Sequence, residues 1–288
     1  MSEATFRKQF ERRWALDTNL SYLVGGAGPP MVLIHGLGGA AENWVDLAPL
    51  LSQRFRLLIP DLPWHGASGA GPSRVTLRTF SDAVCQCLDA EELASSVVIG
   101  HSFGGQVALQ IAIVEPWRVR ALVLAPVSGI SSSEVKRRYA LRASSWLRPA
   151  RRTNAPRPRI LRSRTLRQLA FSSMVSDVDT LSDAGADAFY SGAAAARNTR
   201  PALRALLRHD LREELHHVRA PALVIWGARD VALPVADGVE YSRRLGARLR
   251  VLADTGHLPC AERPGLSAAL IEEFLDALPV SSVLGPSG

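Results

Sequence analysis

Short, continuous apolar runs recur along this chain. Each is closed by glycine or turn-forming residues and followed by apolar positions at helical spacing. Met31-Val32-Leu33-Ile34 predicts a buried strand ending in His35-Gly36-Leu37-Gly38-Gly39. A helix is expected over 41–51, with Trp44, Leu47 and Leu51 on one face, and a strand over 55–59 that opens into the turn-rich loop 60–69. Leu77, Phe80, Val84 and Leu88 form the stripe of a helix over 77–88. Val97-Val98-Ile99 predicts the next strand, followed by a helix over 103–114 and a strand over 119–125. Residues 1–30 read as an antiparallel pair, with a turn at Asp17-Thr18-Asn19 and a strand over 20–24. Runs that are apolar throughout, rather than alternating, suit parallel strands covered on both faces.

The rhythm then stops. Residues 128–217 read as helices and loops without a strand. Helices are expected over 134–147 (Val135, Tyr139, Ala143 and Trp146 on one side), 165–174, 179–196 and 201–215, with a Pro- and Arg-rich irregular stretch over 148–159. Strands over 223–226 and 249–253 and helices over 236–245 and 266–278 resume the alternation, and 280–288 reads as a loose tail. The expected architecture is α/β, a doubly wound, mostly parallel sheet built from 1–127 and 218–279. The helical segment 128–217 is inserted after the sixth strand. Ligand sites in such sheets form at the carboxyl ends of strands, and the insert is expected to lie over that edge as a cap.

Composition changes this picture in one place. The net charge of +7 is uneven: 18 Lys+Arg against 8 Asp+Glu lie between Ser128 and Pro221, leaving 16 basic and 19 acidic residues elsewhere. A solvated cap face accounts for most of this basicity, and docking on an anionic surface through Trp146 and Leu147 stays open. No nucleic-acid module is visible, so no such partner is expected. No apolar run approaches the ~20 residues of a membrane span. The N-terminus has no signal-peptide core, so a cytoplasmic protein is expected. Three cysteines make no disulfide framework and read as reduced thiols.

The candidate chemistry falls at strand ends. Gly100-His101-Ser102-Phe103-Gly104 joins a strand to a helix in a turn so tight that its flanks must be glycine, which presents the Ser102 hydroxyl as a nucleophile. A serine needs a base. Of the seven histidines, His257 follows the last strand in Asp254-Thr255-Gly256-His257-Leu258 and can reach over the edge. The adjacent His216-His217 pair lacks metal-ligand spacing, and no metal is expected. Asp230, after the 223–226 strand, is the candidate to orient the base, with Asp61 and Asp254 as alternatives. The backbone N–H groups of Phe103 and Leu37 are placed to receive a negative oxygen. Trp64, Trp146 and Leu258 are candidate substrate contacts.

In this order, the His35-Gly36 loop, the 61–68 loop, the Gly100–Gly104 turn, Asp230 and His257 resemble an α/β-hydrolase-fold enzyme over about 15–127 and 218–278. Trp64 departs from that pattern, standing where glycine is more usual. The resemblance implies a metal-free, cofactor-free serine esterase acting on a small ester or acyl substrate. Hydrolysis of C–C or thioester bonds on the same three residues, and slow-turnover ligand sensing, are the alternatives. A serine nucleophile, rather than aspartate, argues against dehalogenase or epoxide hydrolase chemistry.

Overall fold

The computed structural model describes residues 3–15, 18–132, 134–135 and 161–279. Trp146, the expected helix beyond residue 135, the Pro/Arg-rich stretch up to residue 160 and the tail lie outside the described residues. Within them the strands are β1 (Glu11–Trp14), β2 (Ser21–Gly25), β3 (Pro30–Ile34), β4 (Arg56–Pro60), β5 (Ser96–His101), β6 (Val119–Ala125), β7 (Ala222–Gly227) and β8 (Arg248–Leu252). They form one eight-stranded sheet in the order β1-β2-β4-β3-β5-β6-β7-β8. β2 is antiparallel to both β1 and β4, and every other pairing is parallel.

Helices α1 (Glu3–Gln9), α2 (Ala48–Leu51), α3 (Leu77–Ala90) and α4 (Phe103–Val114) precede β6 in the chain. After it come α5 (Arg164–Phe171), α6 (Asp183–Ala195), α7 (Arg200–Arg208), α8 (Val235–Leu245), α9 (Pro259–Glu262) and α10 (Pro264–Asp276). Two apolar layers sandwich the sheet. One packs α3 and α4 on Val32, Val98 and Leu122; the other packs α1, α2 and α10 on Leu33, Ile99 and Val123. β5 is central and fully buried, which is why its sequence is apolar without alternation.

Three local expectations change. The helix expected over 41–51 is split into a 3₁₀ turn, Ala41–Trp44, and the single turn α2. Pro49 explains the break, since it has no N–H to bond back into a preceding turn. The helix expected over 201–215 ends at Arg208. At the N-terminus the antiparallel β1–β2 pair forms, but α1 precedes it. Phe6 and Phe10, four apart, stack at 4.6 Å and bury completely or nearly so against the sheet. Burial of those two rings holds a helix that is too short to be stable alone. No helix among the described residues is long and apolar enough to cross a membrane.

Candidate active site

β5 delivers Ser102 to the carboxyl edge at the centre of the sheet. Its backbone sits at φ 55°, ψ −117°, in the left-handed half of conformational space that side chains avoid. The turn survives because its flanks carry no side chains. A Cβ on Gly100 would lie 2.5 Å from Gly104 O, and one on Gly104 would lie 2.2 Å from Ile34 O. The Phe103 N–H, the first amide of α4, has no acceptor within the helix and points outward from its positive end. The Phe103 ring turns the other way, into the core, and meets Phe80 edge-on at 4.9 Å. Its apolar character therefore says nothing about the substrate.

β7 and β8 deliver the other two residues. His257 Nδ1–H donates to Asp230 Oδ2 at 2.8 Å, and both side chains are fully buried. Asp230 Oδ1 accepts the Ala232 and Leu233 N–H groups at 2.8 and 2.9 Å. One oxygen thus shapes the loop while the other fixes the imidazole. A proton held on Nδ1 leaves Nε2 as the basic nitrogen.

The two alternative carboxylates serve elsewhere. Asp61 is buried under its own loop, accepting the Ala41 and Ala67 amides and pairing with Arg12 at 2.7 Å. Asp254 is largely exposed and pairs with Arg229.

A narrow, partly open pocket lies over Ser102. His35, Gly36, Leu37, Asn43 and His101 line it on the sheet side. Met174 and Phe189, from the inserted segment, and Leu258, Cys260 and Ala261 line it on the other side. Among the described residues that line it there is no lysine, arginine or carboxylate. Trp64 is not part of this lining. Held at φ 67°, it packs against Phe80 and covers Gly71, so the departure from glycine fills the core beside the site. Met174 and Phe189 carried no local sequence signal, because nothing in an apolar position says which cavity it will face.

Two further histidines brace the floor. Leu62 N–H donates to His35 Nε2 at 3.1 Å, so Nδ1 carries the proton and donates to Gly36 O at 2.8 Å. His101 Nε2 donates to the carbonyl of His257 at 2.9 Å, which ties β5 to the His257 loop. Burial pushes His35 down to about 4 and His101 down to about 3. Unfolded histidine titrates near about 6.5. Between these values the unfolded chain binds protons that the fold does not, so stability present above pH ~6.5 drains away as the pH falls. Each ring contributes on the order of 1 kcal/mol per pH unit inside that window. Urea unfolding midpoints should fall from pH 7 to pH 4, and His35→Gln and His101→Gln should each flatten the slope. Variants as acid-sensitive as the parent would contradict this.

The chain as a whole is similar to known proteins. The chain is 31% identical over 239 residues to the dihydrolipoyllysine-residue acetyltransferase component of the acetoin cleaving system of Pseudomonas putida, covering 82% of this chain. It spans only 60% of that relative's length. It is 33% identical over 259 residues to a pimeloyl-[acyl-carrier protein] methyl ester esterase of Aromatoleum aromaticum, covering 86% of this chain and 98% of that one. In structure it is similar to a putative lipase from Acinetobacter baumannii, with a TM-score of 0.76 at 22% identity over 94% of this chain and 93% of that one, a likeness of fold alone. The family model described as alpha/beta hydrolase matches residues 31–270, which takes in the strained Ser102 turn and the buried His257–Asp230 pair, and by that match the chain belongs to the alpha/beta hydrolase family.

Proposed function

We propose that this chain is a carboxylic-ester hydrolase that works through an acyl-enzyme on Ser102. The observation that carries the reading is the fully buried His257–Asp230 pair at 2.8 Å, brought to the same sheet edge as a serine held in a strained turn. An esterase among the relatives of near-equal length supports it. Ser102 Oγ attacks the ester carbonyl carbon as His257 Nε2 takes its proton. The carbonyl oxygen becomes an oxyanion and accepts hydrogen bonds from the Leu37 and Phe103 N–H groups. Collapse breaks the bond to the alcohol oxygen, to which His257 returns the proton. Water then repeats the cycle, releasing the acid and restoring Ser102. Asp230 holds the imidazole tautomer and stabilises the imidazolium throughout.

The apolar lining suits an uncharged acyl chain, with Leu258 touching it. The reading of the inserted segment as a cap is supported by Met174 and Phe189, which line the pocket. The test is hydrolysis of p-nitrophenyl esters from acetate to palmitate. The expected result is multiple turnover with kcat/KM highest for a short acyl chain, since the pocket over Ser102 is narrow, and falling for longer ones. Folded protein that leaves every ester untouched, yet cleaves a C–C or thioester substrate, would replace this reading with the second.

A further inference from the structure

The His257 loop is held from three directions. His257 N–H donates to Met174 O at 2.7 Å, and its carbonyl accepts from His101. The amides on either side, Gly256 and Leu258, both donate to Glu262, at 2.9 and 3.2 Å to Oε1, with Gly256 also 3.0 Å from Oε2. The same Oε2 accepts the Ser176 N–H from the inserted segment at 2.9 Å. Ser176 Oγ in turn donates to Asp254 O at 2.6 Å. The two stretches touch so closely that a Cβ on Gly256 would lie 2.7 Å from Ser176 N and 2.8 Å from Val175 C.

Glu262 is only 3% exposed. A buried carboxylate is costly unless its acceptor sites are filled. Here three backbone amides fill them, and burial still holds its carboxyl above the usual range. Packing alone would be served as well by an apolar side chain of this size. What only a carboxylate offers is two acceptor oxygens at once, Oε1 for the His257 loop and Oε2 for Ser176 with a share of Gly256.

We propose that Glu262 is a positioning residue for His257, latching the His257 loop to the 174–176 turn so that the base and the pocket wall carrying Met174 are set as one unit. This rests on the reading of His257 as the base. Glu262 acts only through the backbone of the loop. Its sequence signal was a carboxylate four residues beyond Leu258, at the end of a short helix, where it resembles an ordinary surface glutamate.

Two substitutions divide the latch. In Glu262→Gln one oxygen remains while the other becomes an NH₂ facing an N–H, which cuts one arm. Glu262→Ala cuts both. Amide hydrogen exchange by mass spectrometry over 172–178 and 254–260 reads the latch, and steady-state hydrolysis of p-nitrophenyl butyrate reads its consequence. Both segments should lose protection together, more in Ala than in Gln. kcat should fall by about 10- to 100-fold in Glu262→Gln, the loss expected for a misplaced catalytic group, with KM nearly unchanged. Unchanged exchange over 172–178 in both variants overturns the latch. Deprotected segments with an undiminished kcat overturn the positioning role. If the parent protein hydrolyses no ester, the proposed function fails separately, and joint deprotection still decides whether Glu262 joins the two segments. The near-isosteric Gln variant keeps the test open should Glu262→Ala not fold.

Discussion

Ser102→Ala should abolish multiple turnover of p-nitrophenyl butyrate, lowering kcat by about 10⁴-fold or more. The substitution removes the atom that attacks and leaves the backbone of the turn as it is. Alanine meets the same strain as serine at φ 55°, and the surrounding glycines are untouched. The Ser102 N–H still donates to Ala125 O at 3.2 Å. Thermal unfolding should therefore stay within about 1 kcal/mol of the parent, because the backbone of the turn keeps its bonds and its flanking glycines. The two measurements belong together. Lost activity with an intact fold assigns the chemistry to the hydroxyl. A variant retaining a tenth of the parent's kcat would remove Ser102 from the mechanism.

Asp230→Asn should cost nearly as much, about 10⁴-fold in kcat, by a different route. Oδ1 accepts two backbone amides, from Ala232 and Leu233, so the new side chain must keep its oxygen there. The NH₂ is then forced towards His257 Nδ1, where the carboxylate oxygen had stood at 2.8 Å. An amide donor in that place requires Nδ1 to accept, which moves the imidazole proton to Nε2 and blocks it as a base. KM should change little, because Asp230 does not line the pocket. A parallel loss in Asp254→Asn would mean that the orienting acid was misassigned; that exposed carboxylate, paired with Arg229, should instead be neutral to activity.

The site was legible where chemistry forces local sequence. A serine at φ 55° demands side-chain-free neighbours, so Gly100 and Gly104 flank it and the turn is written in five residues. A buried central strand must be apolar on both faces, so β5 was plain, and the strand ends placed Asp230 and His257. Elements held by distant contacts were less visible. α1 exists because Phe6 and Phe10 bury against the sheet, and its charged sequence offers little else. The break at Pro49 in a stretch of otherwise helical spacing shows one missing N–H outweighing an apolar periodicity.

The sequence by itself determined the parallel sheet, the insert after the sixth strand, the serine turn and the order of the three candidate groups, because each follows from rules acting within a few residues. Only the tertiary structure decided which carboxylate faces His257, that Phe103 and Trp64 pack into the core, and that Met174 and Phe189 wall the cavity. It alone showed Glu262 joining the His257 loop to Ser176, which lies 86 residues before Glu262 in the chain. The physical reason is range. Backbone strain, periodicity and hydrophobic burial leave local marks, whereas a hydrogen bond between remote segments depends on how the whole sheet brings its edges together.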